Sequence, residues 1–219
     1  MSLSTYLLYL AAVALLVLSP GPTMLMCMTY SLQHGPRKAL AAAAGSVTAV
    51  LGTMLLSALG LGALLAASET AFWVLKAAGA GYLIWLGIKT FRSRATVFDE
   101  LPKQNDAGAK GAVARATFPL HKQFLQGLIV GGSNPKALLF FTAFFPQFLD
   151  PAAAWAPQFT VLASTFVACE FTVLTLCALG VARLAPVLRS GTRMQWFNRV
   201  CGGLFALMGT LLLATRRAA

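Results

Sequence analysis

The stretch Gly131-Gly132-Ser133-Asn134-Pro135-Lys136 sets an amide, a proline ring and an ammonium inside a run that is otherwise apolar. The stretch Ser19-Pro20-Gly21-Pro22 does the same to the first apolar run. Proline inside a helix removes one N–H and clashes with a carbonyl one turn back. In hydrocarbon the freed backbone groups need partners, so such a break is tolerated only where it is buried in protein or faces a cavity. Gly131-Gly132 can close one half-helix, while Asn134 is a good N-cap and Pro135 a good first residue for the next. Ser19 or Gly21, before Pro20 or Pro22, repeats that logic. Each restart would aim unpaired N–H groups and the positive end of a helix dipole into the interior, which suits a carboxylate. Lys136 would add a full positive charge, unless it snorkels to the interface. Two proline kinks that only shape packing are the plainer alternative.

Glu170, in "STFVACEFTVLTLCAL", is the one acid deep in an apolar run. A buried carboxylate marks a functional site by default. It could bind an ammonium group, carry a proton, or pair with Lys136. At about 100° per residue it shares a helix face with Ala163, Phe166 and Cys177, while Thr165, Cys169 and Thr172 point nearly the other way.

The elements that must carry these residues follow from composition. Of 219 residues, 58% are hydrophobic and 11% charged, with a mean hydropathy of +0.74. Soluble domains carry roughly 25% charged residues, so this is a membrane-class chain. A bilayer-crossing helix needs about 20 mostly apolar residues. Six candidate spans result: 3–32, 39–67, 71–91, 123–149, 155–182 and 196–214, the first and fourth interrupted. The apolar start lacks a basic leader region and an A-x-A site, and reads as a retained span.

The basic residues behind the net charge of +11 lie almost entirely between the apolar runs, not in a stripe that would suit nucleic acid. Arg37 and Lys38, then Arg92, Arg94, Lys103, Lys110, Arg115 and Lys122, then Arg183, Arg189, Arg193 and Arg199 all fall in alternate connectors. With six alternating spans those connectors lie on the cytoplasmic side and both termini lie outside. Arg216 and Arg217 do not fit that orientation, and a five-span arrangement would place them differently.

The chain divides into a first three-helix repeat (1–91), a polar cytoplasmic connector (92–122) and a second three-helix repeat (123–219). "SPGP" and "SNPK" align at a spacing of 115, "ALG" recurs at 58–60 and 178–180, and Gly81 and Gly87 match Gly203 and Gly209. Three spans per repeat gives the repeats opposite orientation, and inverted repeats with paired broken helices are the pattern of secondary transporters. The fold class expected is an all-α integral membrane protein of six transmembrane helices in two inverted three-helix repeats.

Other features carry less. The four cysteines, Cys27, Cys169, Cys177 and Cys201, form no CxxC pair, and His34 and His121 lie in polar connectors. Neither a disulfide framework, a zinc site nor another cofactor is expected. Phe141, Phe144, Phe145 and Phe148 read as packing residues. Gly127-x-x-x-Gly131 and Ala41-x-x-x-Gly45-x-x-x-Ala49 permit close helix contact. Trp73, Trp85, Trp155 and Trp196 lie near span ends, as interfacial anchors do. No Ser–His–Asp arrangement can be placed, so an enzyme is not expected.

"LSPGPTML" at 18–25, "HGPRKAL" at 34–40, "GAGYLIWLGIK" at 79–89 and "SNPKALLFFTAFFPQF" at 133–148 together resemble the LysE/RhtB family of amino-acid exporters. The resemblance spans nearly the whole chain. It implies a multi-pass carrier of the bacterial inner membrane that exports amino acids in exchange for protons. Pro20, Gly21 and Pro22 match the family's first block, and Asn134, Pro135 and Lys136 the second. Some exporters of basic amino acids carry an intramembrane aspartate that this chain lacks, which favours neutral substrates such as homoserine, threonine or leucine.

The candidate substrate-binding residues are Pro20, Gly21, Pro22, Thr23, Ser133, Asn134, Pro135, Lys136 and Glu170, with Glu170 also as the proton-coupling group. The expected partners are an amino acid, protons and membrane lipid, with a homo-oligomer left open and no nucleic acid. The rival reading is a metal-ion or thiol-redox membrane carrier of related architecture.

Overall fold

The computed structural model describes residues 1–67, 69–93, 119–150, 152–188 and 191–214. Most of the polar connector therefore lies outside the described residues, with Asp99, Glu100 and Asp106, and so do Arg189, Arg216 and Arg217.

Among the described residues every regular element is helical. In chain order they are α1 (Leu3–Leu18), α2 (Pro22–His34), α3 (Pro36–Ala67), α4 (Glu69–Arg92), α5 (Leu120–Gly132), α6 (Pro135–Leu139), α7 (Trp155–Leu188) and α8 (Gly191–Ala214). By length and composition, Pro36–Gly60 and Trp155–Arg183 can cross a membrane. A third span results if Leu3–Leu18 and Pro22–His34, bent by 49° at their junction, count together. Exposed Leu56 and Leu59 on α3, and Leu176 and Leu179 on α7, give the two long spans apolar outer faces, as lipid contact demands.

The chain turns from α2 into α3 at Gly35, whose φ of 87° only glycine adopts without strain. Pro36 then opens α3 at a position where its missing N–H costs nothing. Small residues let α3 and α5 touch through their backbones. A Cβ on Gly45 would lie 1.9 Å from the Phe124 carbonyl oxygen, and one on Gly127 would lie 1.8 Å from that of Ala42. Close helix contact, expected from the glycine spacing, is therefore found here.

The apolar run after Pro135 departs from the expected continuous helix. Five residues of α6 give way to a π-helical turn at Phe140–Phe144 and a 3₁₀ turn at Phe145–Phe148. Pro146 cannot donate to the carbonyl of Thr142, so regular α-helical bonding fails there. The Phe145 N–H instead bonds to the Phe140 carbonyl. Ser57 Oγ donates to the Phe141 carbonyl at 2.7 Å, satisfying an acceptor that the irregular winding frees.

This winding turns five phenylalanines inward. Phe140, Phe141, Phe144, Phe145 and Phe148 are all buried, as their spacing suggested for the last four. They pack edge-on against one another and against Tyr9 and Phe166. Tyr9 Oη donates to the Leu162 carbonyl at 2.9 Å, which lets a phenol sit in that aromatic core.

Candidate functional site

The two breaks meet. α1 ends at Leu18 and α2 begins at Pro22 with Gly21 as N-cap; α5 ends at Gly132 and α6 begins at Pro135 with Asn134 as N-cap. Of the alternatives open in the first stretch, the chain uses Gly21 and Pro22. The two restarts are thus 113 residues apart, not the 115 of the sequence alignment, which pairs Pro20 with Pro135.

Asn134 ties the breaks together. Its Oδ1 accepts from the Lys136 N–H at 3.1 Å, capping α6. Its Nδ2 donates to Thr23 Oγ1 at 3.1 Å, in the first turn of α2. Gly21 offers α2 no side-chain cap, so the first-turn N–H groups of that helix keep their capacity to bind an acceptor.

Lys136 does not snorkel. Its ammonium donates to the carbonyls of Leu16 at 2.7 Å and Ser19 at 2.6 Å, at the carbonyl-rich end of α1. A cation there meets the negative pole of a helix and satisfies acceptors that the broken ladder leaves open. A Cβ built on Gly21 would lie 3.2 Å from Lys136 Nζ, so the backbone of the first break and the ammonium of the second are in near contact.

Two cavities flank this knot. The larger, of about 230 Å³, is bordered by Ser19, Pro20, Gly21, Pro22, Asn134, Pro135 and Lys136 from the breaks. Tyr82, Trp85, Leu86, Lys89 and Thr90 of α4, with Ser93 just beyond it, Leu139 of α6 and Asn198 of α8 form the rest of its wall. The smaller, of about 20 Å³, is bordered by Thr23, Phe166, Glu170 and Leu174 among others. Ser19, Gly21, Asn134 and Lys136 border both, so the knot separates them.

Glu170 is half-buried, on the face of α7 that buries Ala163, Phe166 and Cys177. It borders the smaller cavity and is coupled electrostatically to Lys136 across it, without a direct ion pair. Ser133 is brought to neither cavity. It is exposed, and its Oγ donates to the Ile129 carbonyl at 2.7 Å, closing α5.

Tyr82, Lys89 and Asn198 are not among the residues the sequence singles out, and Trp85 stands there only as an interfacial anchor. Trp85 is about half exposed at the cavity rim, with Lys89 Nζ 4.9 Å from its ring centre. Asn198 had a usable signal, being an amide inside the sixth candidate span.

With this geometry in place, comparison with known proteins is informative. The family model described as LysE type translocator matches residues 14–216. The chain belongs to the LysE-type translocators. It is 34% identical to the homoserine/homoserine lactone efflux protein of Salmonella typhimurium, over 100% of both chains. It is 32% identical to the leucine efflux protein of Klebsiella pneumoniae, over 96% of this chain and 94% of the relative. An uncharacterized membrane protein of Vibrio cholerae is 32% identical over 100% of both. No solved structure matches. The family is one of membrane translocators and its named relatives are efflux proteins, so the metal-ion or thiol-redox reading is not favoured.

Proposed function

We propose that this chain is a secondary transporter of the bacterial inner membrane that exports neutral amino acids such as homoserine, threonine or leucine by proton antiport. The observation that carries the reading is the larger cavity, where residues of both chain breaks and the Lys136 ammonium share one wall. The substrate carboxylate sits against the N-terminus of α2 and the third proton of the ammonium, whose other two already hold Leu16 and Ser19. Pro20, Pro22 and Pro135 shape that wall, while Asn134 and Thr23 hold the two breaks in register. Lys89 at the rim draws the carboxylate in.

Glu170 is the proton carrier. It lies behind the knot, where its charge is felt by Lys136 and hence by anything bound to Lys136. The ionised carboxylate alternates between a proton and the substrate's ammonium group as the repeats rock; it can hold one cation at a time, and that exclusion is what antiport needs.

The architecture proposed is six spans in two inverted repeats that rock about the breaks. Contacts between α4 and α8 support it. A Cβ on Gly87 would strike Gly202 and Ala206, and one on Gly209 would strike Ala80 and Ile84. Shifting each residue by 122, the spacing of the paired glycines, turns the first set of contacts into the second. Reciprocal contacts of this kind are what a two-fold axis between the repeats produces.

Counterflow in proteoliposomes tests the reading. Vesicles preloaded with unlabelled homoserine, threonine or leucine should accumulate the labelled amino acid, and vesicles without protein should not. Absence of counterflow for a broad panel of neutral amino acids would reject it.

A further inference from the structure

The chain contains three asparagines, and two of them, Asn134 and Asn198, border the larger cavity. Asn134 is fully engaged at the knot between the breaks. Asn198 is different. Only 6% of its surface is exposed, yet its amide makes no hydrogen bond to any described residue. Its place in the cavity lining leaves the amide's donors and acceptor available to whatever fills that cavity. The wall around Asn198 is supplied by α4 and α8, and its other members include Tyr82, Trp85 and Leu86.

The cavity is thus chemically two-sided. The break wall carries a cation and a helix N-terminus; the other carries aromatic and aliphatic surface, with Lys89 exposed at its rim, Tyr82, Thr90 and Ser93 half-buried, and Asn198 as its buried polar side chain. At about 230 Å³ it has well over ten times the roughly 15 Å³ that one water molecule requires. An α-amino acid with its carboxylate at the break wall directs its side chain toward α4 and α8.

We propose that Asn198 is a specificity-determining residue whose amide hydrogen-bonds a hydroxyl or carbonyl oxygen on the substrate side chain. The site therefore prefers short oxygen-bearing side chains, as in homoserine, over branched hydrocarbon ones, as in leucine. An amide can donate to either oxygen and can also accept from a hydroxyl. A hydrocarbon side chain leaves it unpaired, and a buried polar group left unpaired is what discriminates between otherwise similar ligands. This inference rests on the exporter reading above.

The test uses the purified full chain in proteoliposomes and the initial rates of labelled homoserine and labelled leucine, measured for wild type, Asn198→Leu and Asn198→Gln. The expected result is a fall in the homoserine-to-leucine ratio of kcat/KM by about tenfold or more in Asn198→Leu, with a smaller fall in Asn198→Gln, which keeps an amide. The ratio is read because a merely structural loss lowers both rates together. If Asn198→Leu yields no monodisperse protein, Asn198→Ala, which also removes the amide, is compared in its place. A ratio unchanged from wild type, whether the rates fall or not, overturns the role of Asn198 and leaves the exporter standing. Wild type that moves leucine but not homoserine overturns it too. Wild type that moves neither removes the exporter reading itself.

Discussion

Lys136 holds two carbonyls of another helix, and both acceptors lie far away in the chain. Replacing it by methionine keeps the length of the side chain and deletes both bonds. The expected cost is about 1–3 kcal/mol, seen as a lower melting temperature in detergent, with transport lost. Arginine should not restore transport, because a planar fork cannot take the place of a compact ammonium between Leu16 and Ser19. Glu170→Gln separates carriage from coupling: counterflow should persist, while accumulation driven by a proton gradient disappears. Gradient-driven accumulation that survives in Glu170→Gln would remove it from the proton path. The sequence made both residues conspicuous, since charges inside apolar runs are costly. It left open whether Lys136 snorkels, because the competing acceptors are brought to it only by the fold.

At the level of elements, the helix starts do the positioning. Asn134→Ala removes both the cap of α6 and the tie to Thr23, and should cost about 1 kcal/mol of stability for the cap alone. Gly87→Leu tests the α4–α8 contact. Its side chain would collide with the backbone of Gly202, so thermal stability should fall by about 1–3 kcal/mol. Gly81→Leu, where a Cβ meets open space, should leave stability near that of wild type. The glycine pattern and the presence of two breaks were legible, because proline and small residues have few other uses in an apolar run. The winding after Pro135 was not. Helical periodicity places the phenylalanines inward but cannot tell an α turn from a π or 3₁₀ turn. The two-residue difference between the spacing of the two motifs and that of the two helix starts has a similar origin, since Pro20 and Pro22 are equally good helix starters and only the caps distinguish them.

For the whole molecule, composition alone marked a membrane protein, and the family confirms a membrane translocator. What no pattern along the chain could show is the division of the site by the knot, with a roomy cavity on one side and Glu170 on the other. None of the four cysteines borders either cavity. Alkylating accessible thiols should therefore leave transport rates close to those of untreated protein, whereas a thiol-redox carrier would be abolished. The central claim is proton-driven export through the cavity at the breaks. The most direct measurement is uptake of labelled homoserine and leucine into everted membrane vesicles with an acidic interior, for wild type, Lys136→Ala and Glu170→Gln. The account predicts gradient-dependent uptake of a neutral amino acid by wild type that is lost in both variants. Uptake that is indifferent to the gradient, or that survives in both variants, would contradict it.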